Sequence, residues 1–300
     1  MASRPVDAHI RHFAAPARLA RLTLLGCFLA LGFAHAAADV SVEFMNGALT
    51  APQTFAGTGY HSIALVNSSD QLATFSLVRL HPGTSLGDYT KANDALNQTK
   101  DGDGDAAVAA TKALLALADA LSGTDVKPHA EITMYADLQA GTYVASALPA
   151  DEQGPTGPTV YALFMVTESG SPAAAPETPY VVHFSDFAYD FPATIEAGTN
   201  LWQISNTGEQ PHIAVFFKLL PGKTQSDLVA GLSDETGESG PPPFDTDMVF
   251  ELEALSAGQT VYLPLDFAPG NWVAVCFVQD LDDPEVMHAM EGMIQEFAVN

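Results

Sequence analysis

Cysteine is nearly absent from this 300-residue chain: there are two, Cys27 and Cys276. A fold stapled by several disulfides is thereby excluded. Cationic side chains are also scarce, with 11 Lys and Arg against 36 Asp and Glu, for a formal net charge of -25. A surface of that sign repels nucleic acid and anionic lipid, which argues against partners of either kind. Long apolar runs are missing as well. The one candidate, Leu22 to Phe33, has 12 residues, where a helix needs roughly 20 to cross a bilayer. An integral membrane protein is therefore not expected.

The short apolar run has a different meaning in its context. Arg4, Arg11, Arg18 and Arg21 precede it and the small residues of Ala34-His35-Ala36-Ala37-Ala38 follow it. Basic region, short apolar core and small-residue cleavage site read as a secretory signal peptide over residues 1–38, so the expected location is periplasmic or secreted. Leu24-Leu25-Gly26-Cys27 is a weaker match to a lipoprotein signal. Loss of the leader leaves 7 Lys and Arg against 35 Asp and Glu, a net charge of -28. That favours solubility, and it suits a partner with a basic docking surface. It also leaves Cys276 without a second cysteine, so it is a reactive thiol, a metal ligand or an inert core residue.

Short runs rich in Val, Ile, Thr, Phe and Tyr alternate with Gly, Pro, Asn and Asp. Tyr180–Phe187, Asn200–Ser205, His212–Leu219, Thr260–Leu265, Asn271–Val278 and Ile294–Val299 all read as strands, a pattern that implies an all-β sandwich fold. The Ala- and Leu-rich stretch Asp105–Ser122 reads as an inserted helix, with Leu114, Leu115, Leu117 and Leu121 largely on one side. A shorter helical piece is expected at Gln225–Leu232.

The chain repeats itself. At an offset of 139, Asn67 falls on Asn206, Leu80 on Leu219, Pro82-Gly83 on Pro221-Gly222 and Asp88 on Asp227. At 129, Asp137, Gly141, Val144 and Ala145 fall on Asp266, Gly270, Val273 and Ala274. Two tandem sandwiches follow, over residues 39–168 and 180–300, joined by a Ser-, Pro- and Ala-rich linker at 169–179. The copies differ where chemistry would sit. His212 falls on Ala73 and Cys276 on Ala147. Continuing the second offset puts His288 on Thr159 and Met293 on Phe164. The polar residues are thus dispensable for the fold.

In the second copy, Asn206-Thr207-Gly208-Glu209-Gln210-Pro211-His212 leads into a strand. Pro269-Gly270-Asn271-Trp272 opens the strand that ends at Cys276, and His288-Ala289-Met290-Glu291-Gly292-Met293 precedes the last one. These motifs resemble those of the cupredoxin, or blue type 1 copper, family over about 120 residues. The resemblance implies two tandem cupredoxin-like Greek-key sandwiches, the first a degenerate repeat without copper ligands. In the second it implies one copper ion held by His212, Cys276, His288 and Met293, with Met287 and Met290 as rivals for the fourth place. Two imidazoles, one thiolate and a weak axial thioether accept both Cu(I) and Cu(II). The 11-residue interval between Cys276 and His288 departs from the small members of the family and carries Asp280, Asp282, Asp283 and Glu285.

Other chemistry fits less well. Val275 and Phe277 flank Cys276, and no His-x-His pair occurs, so a trinuclear oxidase cluster or a nitrite-reducing copper has no ligands. A binuclear thiolate-bridged centre needs a second Cys, and a cysteine protease would leave the Met unexplained. The expectation is a non-enzymatic carrier of single electrons that serves a redox protein partner. The alternatives are copper storage or delivery, and a binding module whose metal site has decayed.

Overall fold

The computed structural model describes residues 38–99, 103–151, 154–232 and 241–300. Residues 1–37 of the expected leader, Cys27 among them, lie outside these residues. Every strand expected in the second half is present, and each half contributes to both layers of an all-β sandwich.

In the first half the strands are β1 (Val40–Met45), β2 (Ala48–Thr50), β3 (Thr54–Ala56), β4 (Gly59–Asn67), β5 (Leu72–Leu80), β6 (Ala118–Val126), β7 (Ala130–Leu138), β8 (Gly141–Asp151), β9 (Gly154–Pro155) and β10 (Val160–Thr167). In the second they are β11 (Tyr180–Ser185), β12 (Ala188–Tyr189), β13 (Thr194–Ile195), β14 (Gly198–Asn206), β15 (His212–Leu219), β16 (Phe244–Leu255), β17 (Thr260–Phe267), β18 (Gly270–Val275) and β19 (Ile294–Val299). One sheet runs β12-β11-β14-β17-β7-β4-β1-β2, and the other β13-β19-β18-β15-β16-β6-β5-β8-β10-β3.

Read from either end, each order gives the same sequence of equivalent strands. The halves meet through like strands, β7 on β17 (Tyr135 opposite Tyr262) and β6 on β16 (Leu121 opposite Leu255), both antiparallel. Antiparallel pairing of equivalent strands is what an approximate two-fold relation requires. The two sandwiches therefore form continuous sheets over one shared apolar core. Side-chain bonds reinforce the seam: Ser122 Oγ donates to the Glu253 carbonyl at 2.8 Å and Thr124 Oγ1 to that of Glu251 at 2.9 Å.

The offset of 139 holds residue for residue in β4 and β14, and the Asn at each strand end has one job. Asn67 Nδ2 donates to the carbonyls of Gln71 and Val126, and Asn206 Nδ2 to those of Gln210 and Leu255, all at 2.7–2.8 Å. The second offset fails after β8 and β18. Val166 lies opposite Gly141 and Val299 opposite Gly270, so Met293 corresponds to Val160 and not to Phe164. The loop length between these strands differs in the two copies, and strand register decides the match.

The inserted helix is present, with its bounds corrected. Two helices occur, α1 (Leu86–Asn97) and α2 (Gly104–Leu115), and residues beyond Ala118 are strand. Leu117, Asp119, Leu121 and Gly123 read equally well with period two. Both flanking edges of this sheet offer hydrogen bonds that a helix could not use, so tertiary pairing overrides helix propensity. Ser85 and Asp88 form a capping box on α1. The second copy has α3 (Gln225–Leu232), where Thr224 and Asp227 make the same exchange.

β15 and β18 are buried on both faces. His212, Ala214 and Phe216 share one parity, and Trp272, Ala274 and Cys276 another; with the exception of His212 all belong to the shared core. Val215, Phe217, Val273, Val275 and Phe277 face the other way, into a second cluster closed by Leu228 of α3. The period of two therefore turns His212 and Cys276 to the same inner face.

Candidate metal centre

Three loops meet at one end of the second sandwich. His212 opens β15, Cys276 directly follows β18, and His288 opens the short helix α4 (His288–Glu291). All three side chains are fully buried, and one nitrogen or sulfur of each lies within 4.8 Å of the others. His212 Nδ1 is 3.1 Å from His288 Nδ1, and Cys276 Sγ is 3.5 Å from His288 Nδ1.

Register positions the fourth candidate. Val275 lies opposite Ile294, which puts Cys276 opposite Met293, and the Cys276 N–H donates to the Met293 carbonyl at 3.1 Å. Met293 is fully buried in the same core cluster as Cys276. Gly292 enables the entry to β19, taking a left-handed conformation (φ 118°) at the end of α4, which a side chain would disfavour. The rival methionines point elsewhere: Met287 packs in the outer cluster, and Met290 is 67% exposed.

Both imidazoles are oriented by residues that sequence reasoning did not single out. Asp186 Oδ1 lies 3.1 Å from His212 Nε2, and Gln210 Oε1 lies 3.0 Å from His288 Nε2. The Gln210 amide has one possible orientation. Its Nε2 donates to Asp280 Oδ1 at 2.7 Å and its Oε1 accepts the Leu281 N–H at 2.8 Å. Acceptors therefore face both Nε2 atoms, so each neutral ring carries its proton on Nε2 and turns the Nδ1 lone pair inward. Two lone pairs and a sulfur then face one another. The thiol can donate to one lone pair, but the two Nδ1 atoms repel unless a proton or a cation lies between them, so this donor set fits a bound metal.

Asp186 occupies the turn between β11 and β12, where Ser185 pairs with Ala188. The equivalent turn in the first half is Asn46-Gly47, a pair suited to tight hairpins. Here Asp186 accepts the N–H groups of Glu209 and Gln210 as well as His212. A Cβ on Gly208 would collide with this carboxylate, so the close approach depends on that glycine. Phe187 adopts a left-handed φ of 65°, and its ring meets His288 edge-on at 5.3 Å. A non-glycine residue there costs about 1–3 kcal/mol, strain that collects at functional sites. The break in the repeat, Asp-Phe where the first half has Asn-Gly, is the signal in the sequence that could have revealed it.

The electrostatics suit a neutral donor set. Burial lowers the pKa of His212 despite Asp186, and that of His288 falls to about 4 through burial and the neighbouring His212. Burial pushes the Cys276 thiol up to about 11, partly offset by the N–H groups of Ile213 and Val278 and by the Tyr189 hydroxyl. Burial also opposes ionisation of Asp186, but its hydrogen bonds outweigh that and hold its carboxyl below the usual range. The first half has alanines at the matching positions, Ala73 and Ala147, both fully buried.

Solved structures similar to this chain include auracyanins, multicopper oxidases and a nitrite reductase. Reduced auracyanin from Roseiflexus castenholzii is 22% identical, with 42% of this chain and 99% of that one covered at a TM-score of 0.28. A multicopper oxidase is 13% identical over 87% of this chain and 88% of its own, at 0.23. A copper-containing nitrite reductase from Thermus scotoductus is 9% identical at 0.23, over 88% of this chain and 60% of its own. These similar structures include enzymes and blue copper proteins alike, and the likenesses are too distant to carry an argument about function. No family model and no curated protein matches the chain. No helix among the described residues is long and apolar enough to cross a membrane.

Proposed function

We propose that this chain is an exported type 1 copper protein that carries single electrons, with His212, Cys276 and His288 as equatorial ligands and Met293 as the axial one. One observation carries the reading: two imidazole Nδ1 atoms with their lone pairs turned inward, 3.1 Å apart, beside a buried thiol sulfur. Asp186 and Gln210 fix this arrangement before any metal binds, and a rigid site acceptable to both copper oxidation states needs little rearrangement on electron transfer.

A non-enzymatic role is supported by the closure of the site. Both histidines are fully buried, and Val275 and Phe277 beside Cys276 offer no ligand for a second copper. The first half, with Ala73 and Ala147 where the second has His212 and Cys276, is a scaffold domain. The partner is a redox protein, and the surplus of acidic residues suits a basic face on it.

Visible absorption of the oxidised, copper-loaded chain tests the reading. An intense thiolate-to-copper band that disappears in Cys276→Ser is expected. A copper-loaded protein without that band is not a type 1 site. Met290, exposed on α4 beside His288, favours one second reading, the receipt and delivery of Cu(I). Under that reading, copper moves to an apo acceptor and no electron cycling is seen with redox partners.

A further inference from the structure

A cavity of about 820 Å³ opens between the two halves, away from the metal ligands' inner face. Its walls come from the α1–α2 insertion, from β16 and from the segment that follows Cys276. Tyr89, Tyr161 and Phe277 supply aromatic surface. Glu251, Glu253 and Gln279 supply oxygen atoms.

The charged groups are one-sided. No Lys, Arg or His occurs among the described lining residues, while Asp94 and Asp103 add two more carboxylates. The Glu253 carboxyl has no hydrogen-bond donor among the described residues. Burial and the neighbouring Asp125 push its pKa up to about 7. Asp125, by contrast, accepts from Thr74 Oγ1 at 2.6 Å. Gln279 Oε1 is also sealed from solvent without a partner. A buried acceptor without a donor is unusual and costly, and here Gln279 Oε1 borders the same cavity as the half-buried Glu253 carboxyl.

We propose that this cavity binds a small organic cation, a primary ammonium on an apolar or aromatic body, with Glu253 as its counter-ion. The ammonium supplies the N–H donors that Glu253 and Gln279 lack. Its body packs on Tyr89, Tyr161 and Phe277, where ring faces also attract a cation. A bare metal ion fits less well, because a hard cation needs about six to eight closely converging oxygens and most of this wall is apolar. The proposal is independent of the copper reading.

Calorimetric titration of the full chain at pH 8 tests it, with phenethylamine as the cationic probe and 2-phenylethanol as a neutral probe of the same shape. Phenethylamine is expected to bind and the alcohol to bind at least tenfold more weakly. Glu253→Gln should weaken amine binding at least tenfold, although it removes one of 36 acidic residues. Thr111→Trp adds bulk to the cavity from α2 without altering the strands and should abolish binding. It serves as the second test should Glu253→Gln fold poorly. Equal affinity for the two probes, unchanged binding in either variant, or no binding by the unmodified chain would overturn the proposal.

Discussion

His212 Nδ1 and His288 Nδ1 stand 3.1 Å apart, each ring with its proton on the opposite nitrogen. The arrangement is uncomfortable without a cation, and Asp186 and Gln210 enforce it. Asp186→Asn keeps an acceptor oxygen but removes the charge that makes His212 a better donor. Copper affinity should fall about tenfold, the lower end of the range for such outer partners. The reduction potential should rise, because Cu(II) loses more stabilisation than Cu(I). Competition against a chelator and potentiometry of the same preparation check both.

Met293→Leu conserves volume in a fully buried position and should cost less than about 1.5 kcal/mol. It removes the sulfur proposed as the axial ligand. The expected shift is upward by about 60 mV, a tenfold change in oxidation-state preference for one electron. The same change at Met290, exposed on the surface, should leave the potential where it was. A shift in the Met290 variant and none in the Met293 variant would reassign the axial ligand.

Cys276 is fully buried, and its thiol is pushed up to about 11. In the metal-free protein it should react with a disulfide reagent at pH 8 at least about a hundredfold more slowly than in denaturant, since reactivity follows thiolate fraction and access. Rapid labelling of the native protein would show that the site opens readily.

Glu253 gives a pH-dependent stability of definite sign. Its folded pKa, about 7, lies above its ordinary value of 4.5, so the folded state binds the extra proton between those limits. Stability contributed by this group is present below about pH 4.5 and is lost as pH rises through 7. Glu253→Gln should therefore stabilise the protein by about 2–3 kcal/mol at pH 8 and by almost nothing at pH 4.5. Denaturant melts at the two pH values measure the difference.

The sheet architecture, the repeat and the clustering of His212, Cys276 and His288 were legible because each rests on local pattern. Alternation gave β15 and β19 their limits, and Asn67 and Asn206 marked equivalent strand ends. The α2–β6 boundary was not legible. Leu117 to Gly123 suits either period, and only β5 and β16 on either side decide for strand. Asp186 escaped for a related reason. Its role depends on a turn of one sheet reaching across to the other, and nothing near Asp186 in sequence names His212 as its neighbour.

The shared asparagine brace offers a test of scaffold against site. Asn67→Ala and Asn206→Ala each remove two side-chain hydrogen bonds to main-chain carbonyls, and each should cost about 1–3 kcal/mol. Only the second should also weaken copper binding, because Asn206 holds the carbonyl of Gln210. Thermal melts with and without copper separate the two effects.

Neither imidazole at the centre reaches the surface; Asp186 stands against His212, and Phe187 and Gln210 stand against His288. Under the proposed copper reading, such burial favours a tunnelling charge over a small molecule as what reaches the metal position. Whatever exchanges electrons with such a centre must do so through the protein's own covalent and hydrogen-bonded framework, at the thin shell of side chains where a partner could press closest.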